Sequence, residues 1–277
     1  MSKTHPALGK GKVAVVTGAA DGIGLAASER FAAMEMRVAM ADLDEQKLRE
    51  ASARVEGSVA IPTDVSDLSS VEALREAALS ACGRVDVLMN NAGIGLPSHS
   101  WGEYENWAKV LNTNLWGVIN GIHVFAEAMI AQATPGLIIN TGSKQGITMP
   151  PGSPAYNVSK AGVKATTEAL AHALRNTEGC QVTAHLLVPG FTFTGAIRKF
   201  TQQKPEGAWE PAQVIDFLID ALARNEFYVI CPDNDVDRET DNRRMEWAMG
   251  DLIHDRPALS RWHPDYAEEF EAFVRRR

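Results

Sequence analysis

The sequence has 277 residues, which is enough for one large α/β domain or two small domains. It is 45% hydrophobic and 22% charged, a balance typical of a globular protein with a sizeable core. The formal net charge of -8 argues against a nucleic-acid partner, because proteins that bind nucleic acids usually carry a basic surface.

Seven apolar, β-branched segments follow one another along the chain, separated by segments of helical periodicity. The predicted strands are residues 12–17, 37–41, 58–63, 85–89, 136–140, 181–188 and 227–231. The first helix is expected over residues 22–36, and the third is expected to start at Ser66 or Asp67 and to end at Gly83. This alternation predicts an α/β fold, a doubly wound, Rossmann-type parallel sheet of seven strands with helices on both faces. We expect a single such domain over residues 1–231.

Residues 232–277 differ from the rest, because charged and turn-forming residues dominate there. The segment nevertheless carries five aromatic residues: Trp247, Trp262, Tyr266, Phe270 and Phe273. These are too many for a free tail, so we expect the C-terminal extension to pack on the body or on another subunit. Residues 233–237 resemble the start of a calcium loop, but Arg238 and Arg244 replace the glycine and the glutamate that such a loop needs. No metal site is expected.

The sequence lacks the usual signs of export or membrane insertion. Residues 1–12 contain no apolar core of a signal peptide, and no apolar run approaches the ~20 residues that span a bilayer. The three cysteines, Cys82, Cys180 and Cys231, are far apart in the sequence and suit reduced thiols. These features predict a cytoplasmic protein without a membrane partner.

A glycine-rich turn over residues 17–24 joins the first predicted strand to the first helix. Gly18 permits a tight turn, Gly22 allows the backbone to approach a pyrophosphate, and Gly24 lets the helix pack close to the strand. The helix N-terminus, which includes Ile23, favours negative charge. In this strand–turn–helix context, the turn predicts a dinucleotide-binding site.

Two carboxylates indicate which dinucleotide is bound. Asp42 ends the second strand, where a carboxylate can accept hydrogen bonds from both ribose hydroxyls and would repel a 2′-phosphate. Asp21 lies inside the glycine-rich turn and adds negative charge where a phosphate-binding cation could have stood. With Leu43 beside Asp42, these residues predict NAD rather than NADP. Alone, Asp42 could equally be a surface carboxylate at a strand end.

Tyr156 and Lys160 are four residues apart in a helix predicted to start near Pro154, so both side chains lie on one helical face. A free phenol has a pKa of ~10, and a nearby ammonium lowers the pKa of a phenol towards the range useful for base catalysis. Ser143 follows a predicted strand at its carboxyl end, where open sheets place their sites. Its hydroxyl could hold a substrate oxygen while Tyr156 exchanges the proton. Each residue alone has a simpler structural explanation, but together they indicate a catalytic site.

A series of short motifs, in order along residues 12–195, resembles the short-chain dehydrogenase/reductase family. They are the turn at residues 17–24, Asp64-Val65, Asn90-Asn91-Ala92-Gly93, Asn114, Ser143, Tyr156-Asn157-Val158-Ser159-Lys160 and Pro189-Gly190. The resemblance implies an NAD-dependent oxidoreductase whose catalytic tetrad is formed by Asn114, Ser143, Tyr156 and Lys160. It also implies a homodimer or a homotetramer.

The resemblance further implies roles around the cofactor. Lys160 would hold the nicotinamide ribose, and Asn114 would hold a proton-relay water. Asp64 and Val65 resemble adenine contacts, and Asn91 resembles a residue beside the adenine ribose. The remaining implied contacts lie along the same cleft, with Thr192 at the carboxamide: Ala92, Gly93, Pro189, Gly190, Thr192 and Thr194.

The substrate pocket is expected in the loops that follow the strands, at residues 94–101, 144–155 and 191–211. Their apolar side chains favour an apolar or aromatic secondary alcohol, or its ketone: Leu96, Trp101, Ile147, Met149, Phe193 and Trp209. Residues 194–209 suit a mobile lid, and Lys144 or Gln145 could enter the cleft. Two alternatives stay open, an NADPH-dependent carbonyl reductase of the same fold and a catalytically silent protein that senses dinucleotide.

Overall fold

The computed structural model describes residues 4–275, apart from the side chain of Ala196. Seven strands form one parallel sheet in the order β3-β2-β1-β4-β5-β6-β7, which confirms the predicted doubly wound architecture. The strands are β1 (Val13–Thr17), β2 (Arg37–Asp42), β3 (Ser58–Pro62), β4 (Val87–Asn90), β5 (Gly136–Thr141), β6 (Val182–Val188) and β7 (Tyr228–Ile230). The strand order reverses between β1 and β4, and this reversal opens a crevice at the carboxyl ends of those strands.

Long helices cover both faces of the sheet. One face packs against α1 (Gly22–Ala33), α2 (Glu45–Ser52) and α9 (Pro211–Ala223). The other face packs against α3 (Leu68–Cys82), α5 (Gly117–Ala131) and α7 (Pro154–Arg175). Neighbouring residues of the central strands enter opposite cores, which explains why these strands are apolar throughout rather than alternating.

Shorter helices lie at the carboxyl edge of the sheet. α4 (Tyr104–Leu111) continues through a π-helical turn (Asn112–Trp116) directly into α5. α6 (Gln145–Thr148) follows β5, and α8 (Gly195–Arg198) follows β6. No helix within residues 4–275 combines the length and the apolarity needed to cross a bilayer.

The observed helix ends show which local sequence signals predict a helix boundary. α3 begins after Asp67, whose side chain accepts from the Ser69 backbone N–H, and it ends at Gly83 in the left-handed region, as predicted. α1 ends at Ala33, earlier than the predicted residue 36. The chain turns there at Glu35, which has a φ of 60° although it is not a glycine, so the sequence carried no stop signal.

The C-terminal extension is largely helical. It contains α10 (Arg238–Ile253), two 3₁₀ turns (Ser260–Trp262 and Pro264–Tyr266) and α11 (Ala267–Arg275). Trp247 is buried at its centre, and the ring centroids of Phe270 and Phe273 lie 5.4 and 5.3 Å from that of Trp247. The extension therefore has a small aromatic core of its own. A role for it in contacts between subunits stays a prediction.

Candidate active site

The glycine-rich turn between β1 and α1 forms a close-fitting cradle. Gly18 and Gly22 both have positive φ, at 66° and 57°. A β-carbon on Gly18 would lie 2.8 Å from Ala92 Cα, and one on Gly24 would lie within 3.0 Å of the Gly18 carbonyl oxygen. Helix geometry leaves the N–H groups of Ile23 and Gly24 without intrahelical partners, so they suit an anion. The cradle fits the pyrophosphate of a dinucleotide.

Asp21 does not act as an isolated negative charge in this cradle. Its carboxylate accepts from the Gly22 N–H at 2.6 Å and forms an ion pair with Arg198 of α8. The expectation that Asp21 stands where a cation could have stood is therefore incomplete, because the chain brings a cation to it from another element. Gly195 packs directly on Asp21, and the side chain of Thr194 packs on Gly22. The segment after β6 thus closes over the turn.

Asp42 lies at the end of β2, beside the cradle. Its Oδ2 accepts from the Ala20 N–H and its Oδ1 from the Asp44 N–H, both at 3.1 Å. These bonds fix the carboxylate and leave further lone pairs free for hydroxyl donors. Leu43, next in the sequence, is 72% exposed. A contact of Asp42 with an adenosine ribose stays a prediction.

Asp64 and Val65, which resemble adenine contacts, follow the end of β3. Asp64 Oδ1 accepts from the backbone N–H of Ser66 at 2.9 Å, which fixes the turn before α3. Val65 is buried, and a β-carbon on Gly117 would lie 2.7 Å from its side chain. The carbonyl of Val65 accepts from Asn120 Nδ2 at 2.9 Å. Both residues are therefore held firmly by the fold, whatever they contact in the crevice.

Asn91 joins the carboxyl ends of three strands. Its backbone N–H donates to Thr17 Oγ1 at 2.9 Å, its Nδ2 donates to the Thr17 carbonyl at 3.0 Å, and its Oδ1 accepts from Thr141 Oγ1 at 3.2 Å. Ala92 also donates to Thr17 Oγ1. A β-carbon on Gly93 would lie 3.6 Å from Lys160 Nζ, so this backbone leads from the cradle towards the tyrosine.

Ser143, Tyr156 and Lys160 converge at the end of β5. Lys160 is buried, and its Nζ donates to the Thr141 carbonyl at 2.7 Å and lies 5.8 Å from the centroid of the Tyr156 ring. The Ser143 hydroxyl lies close enough to the Tyr156 hydroxyl to lower the pKa of that phenol. The three residues that the spacing predicted to act together are therefore neighbours.

The electrostatics of this cluster differ from the sequence-based expectation. Burial raises the pKa of the Tyr156 phenol above its ordinary value, and the Ser143 hydroxyl offsets part of that rise. Burial also lowers the pKa of Lys160 to about 8. The expected lowering of the phenol pKa by a nearby ammonium is thus wrong for the protein by itself, because burial dominates both groups.

Asn114 lies in the π-helical turn and is completely buried. Its Oδ1 accepts from the Ile94 N–H at 2.7 Å, and its Nδ2 donates to the Ile94 carbonyl at 2.9 Å and to Ser159 Oγ at 3.1 Å. Both amide hydrogens are therefore used by the fold. Only an oxygen lone pair is left for the implied proton-relay water, so that role stays a prediction.

The segment after β6 lines the opposite side of the crevice. Thr192 is buried and donates to the Gly190 carbonyl at 3.1 Å, next to Pro189. Gly190 packs on Asp233, whose carboxylate accepts from the Phe191 N–H at 3.1 Å. Of the implied contacts at residues 189–194, Thr194 packs on Gly22 of the cradle, and the cofactor contacts of the segment stay a prediction.

The apolar residues proposed for the substrate pocket lie in different surroundings, although Phe193 donates its backbone N–H to the Trp209 carbonyl at 2.8 Å. Trp101 is 95% exposed, whereas Phe193 is buried. Trp209 packs on the main core beside Phe217, with ring centroids 6.0 Å apart, and Ile147 faces α10. The expectation of one shared apolar pocket is therefore wrong for these four residues, because Trp101 is exposed and the other three are used to pack the protein.

A family model described as short chain dehydrogenase matches residues 12–205. The chain belongs to the short-chain dehydrogenase/reductase family. Its matched region contains β1 to β6, the glycine-rich turn, Asn114, Ser143, Tyr156 and Lys160.

Two named proteins are similar to this chain in sequence. The chain is 33% identical over 190 residues to the CLA biosynthesis dehydrogenase/reductase of Lactiplantibacillus plantarum, covering 67% of this chain and 66% of that protein. It is 39% identical over 168 residues to 3beta-hydroxysteroid dehydrogenase 1 of Eggerthella lenta, covering 58% of this chain and 64% of that protein. The chain thus spans slightly less than two thirds of the length of these relatives.

A solved structure is similar over nearly the whole chain. It is a short chain dehydrogenase/reductase from Burkholderia phymatum in complex with NAD, with 31% sequence identity and a TM-score of 0.82. The superposition covers 91% of this chain and 97% of that chain.

Two features of this short-chain dehydrogenase/reductase were missed by the sequence analysis. Arg198 closes on Asp21 across the cradle. Lys144, expected as a candidate for the cleft, instead pairs with Asp233 at 3.3 Å and with Asp241 at 2.6 Å. The closely spaced aspartates at residues 233–237, which resemble the start of a calcium loop, are a local signal of charge near this position.

Proposed function

We propose that this chain is an NAD(H)-dependent oxidoreductase that interconverts a secondary alcohol and a ketone, with an apolar or aromatic substrate. The observation that carries the proposal is the convergence of Ser143, Tyr156 and Lys160 at the sheet edge that also holds the glycine cradle. When bound, the nicotinamide ring supplies the carbon that gives or takes the hydride.

In this proposal Tyr156 exchanges a proton between its hydroxyl and the substrate oxygen, which Ser143 holds by a hydrogen bond. The raised pKa of Tyr156 keeps the phenol protonated at neutral pH, so the phenol is ready to donate a proton when a carbonyl is reduced. The Thr141 carbonyl holds Lys160 Nζ in place, where it can bind a ribose hydroxyl beside the phenol ring. Asn114 links the backbone of Ile94 to Ser159 of α7 through three hydrogen bonds, which fix the two segments relative to each other.

Replacement of Tyr156 by phenylalanine tests this role. Tyr156→Phe should lower kcat about 100-fold or more while leaving the affinity for NAD near that of the wild type, because only the exchangeable proton is lost. Turnover is followed by the absorbance of reduced nicotinamide with a panel of secondary alcohols and ketones. Tyr228→Phe is the matched control, since Tyr228 is exposed and bonds Glu168 away from the cluster. Full kcat in Tyr156→Phe would rule out the acid/base role. A protein that only senses dinucleotide would instead bind NAD without turnover.

The cofactor is proposed to be NAD because Asp42 is fixed beside the cradle. Lys47 favours the NADPH-linked alternative, because it places a cation near Asp42. A hydrogen bond with Asp44 chiefly raises the pKa of Lys47, and the charges of Asp21 and Asp42 raise that pKa further. Steady-state kcat/KM for NADH and NADPH separates the two alternatives. Wild type should prefer NADH, and Asp42→Ala should reduce that preference at least tenfold. An unchanged ratio in Asp42→Ala would count against a ribose contact by Asp42.

The substrate class, assembly and location complete the proposal. The relative from Eggerthella lenta is named for a hydroxysteroid, which supports an apolar secondary alcohol. A homodimer or a homotetramer is supported by Trp116, which is 52% exposed, and by Leu252 and Ile253 at the end of α10, which are 79% and 68% exposed. The three free cysteines suit the cytoplasm. Light scattering coupled to gel filtration measures the assembly.

A further inference from the structure

A small cavity lies between α6 and α10, on the side of α6 that faces the C-terminal extension. Its polar lining consists of Lys144, Thr148, Asp241, Arg244 and Arg261. The cavity measures about 50 Å³, room for roughly four water molecules or one small oxyanion. The other side of α6 packs on α7, where Gly146 meets the backbone of Lys160. The cavity is therefore separate from the cluster around Tyr156.

Charges around this cavity do not balance. Lys144 forms ion pairs with Asp233 and Asp241, and both carboxylates are almost fully buried. Among residues 4–275 neither Arg244 nor Arg261 forms an ion pair with a carboxylate. The lining itself therefore contains three cations and one carboxylate, Asp241, while Asp233 and Glu271 act on this group from outside the lining. The lining is net positive, in a protein whose overall formal charge is -8.

The two arginines are held in a way that leaves their donors available. The guanidinium of Arg261 lies over the rings of Trp262 and Phe270, at 4.7 and 5.0 Å from their centroids. Ring contacts cover the flat faces of a guanidinium, while its N–H groups point outward in the plane. Arg244 Nε is buried and has no hydrogen-bond partner within the described residues. Burial and the charge of Arg244 together lower the pKa of Arg261 to about 10, although Asp241 and Glu271 oppose the change, so the two cations are close neighbours.

We propose that Arg244 and Arg261 form a binding site for a small oxyanion, a carboxylate or a phosphate, in the cavity behind α6. A planar guanidinium offers paired N–H donors that match two oxygens of such a group. The bound anion would offset the net positive charge of the lining and would satisfy Arg244 Nε. Because Lys144 lines the cavity and directly follows Ser143, the anion would also help to fix the loop that carries Ser143.

Titration of the full chain with inorganic phosphate, and separately with acetate, tests the proposal. Sodium chloride keeps the ionic strength constant, and calorimetry or the fluorescence of Trp262 under Arg261 reports binding. Wild type should bind at least one of the two anions, and the tighter one identifies the source as phosphate or carboxylate. Saturating anion should also raise Tm.

Matched variants complete the test without any need for enzymatic activity. Arg244→Gln and Arg261→Gln should each weaken binding about tenfold, because a charge-assisted hydrogen bond is lost. Arg244→Lys keeps the charge and much of the packing, so it should fold even where Arg244→Gln does not. It should bind the anion several-fold more weakly than the wild type does. Arg238→Gln alters an exposed arginine on the same helix and should bind as the wild type does. Equal affinity in wild type and Arg244→Lys, or no binding of either anion by wild type, would overturn the proposal.

Discussion

Replacement of Lys160 by methionine should remove a specific dependence of stability on alkaline pH. Burial lowers the pKa of Lys160 from the ordinary 10.5 to about 8 in the folded protein. Between these two pH values the unfolded chain binds a proton at Lys160 that the folded chain does not bind. The stability of the wild type therefore rises with pH through this window, and the cost of burying the ammonium is fully present below pH 8.

The size of the effect follows from the same two pKa values. One pKa unit corresponds to ~1.4 kcal/mol, so the buried ammonium costs the folded state about 3 kcal/mol at neutral pH. About 2 kcal/mol of that cost should be relieved by about pH 9.5. Methionine also leaves the Thr141 carbonyl without its hydrogen bond, which costs ~1–3 kcal/mol at every pH. The pH-dependent part of the difference, rather than its absolute value, is therefore the quantity to measure.

Urea unfolding of both proteins at about pH 7 and about pH 9.5 measures this difference. The free energy of unfolding of wild type, minus that of Lys160→Met, should rise by about 2 kcal/mol between the two conditions. Lys164→Met is the control on the same helix, because Lys164 is partly exposed and pairs with Glu168 at 2.8 Å. It should show no comparable rise. If the difference in free energy of unfolding between wild type and Lys160→Met stays constant within about 0.5 kcal/mol, or falls, a buried ammonium in the resting protein is refuted.

Two further substitutions test the cofactor end of the site. Gly24→Ala should abolish measurable NAD binding in calorimetry, because its β-carbon would lie within 3.0 Å of the Gly18 carbonyl oxygen. Gly95→Ala, with nothing within 4 Å, should bind normally, and equal affinity of the two variants would contradict the tight cradle. Arg198→Met should release NADH roughly two- to fivefold faster in stopped-flow measurements, since a partly exposed ion pair contributes ~0.2–1 kcal/mol. Lys199→Met, at the exposed neighbouring position, should leave that rate unchanged.

The sheet could be predicted because its signals are local. Each buried strand is a short apolar run, and each observed boundary lies within two residues of the predicted one. Capping residues such as Asp67 and Gly83 act on neighbouring backbone groups, so their effect is visible in the sequence itself. The same holds for the cradle, where the steric need for glycine is set by the turn and the adjacent strand.

Contacts between distant segments could not be predicted from such signals. Arg198 and Asp21 are 177 residues apart, and Lys144 and Asp233 are 89 residues apart. Neither pair has a periodicity that joins its members, so only the folded chain brings them together. No sequence signal predicts the π-helical turn around Asn114. Its extra residue per turn is stabilised by tertiary hydrogen bonds to residue 94 and to Ser159.

Burial acts in opposite directions on the two titratable groups at the centre of the proposed site. It raises the pKa of Tyr156 and lowers the pKa of Lys160 to about 8, because a buried environment disfavours whichever form is charged. As the pH rises, Lys160 therefore loses its proton before Tyr156 does, and a neutral amine no longer stabilises a phenolate. Near neutral pH Lys160 is still charged, yet the pKa of Tyr156 stays raised, so for alcohol oxidation a further positive charge beside the phenol must arrive with the ligand. An oxidised nicotinamide carries such a charge, and its attraction is strong in a buried setting. In the proposed function, proton release from Tyr156 is therefore coupled to binding of the oxidised cofactor.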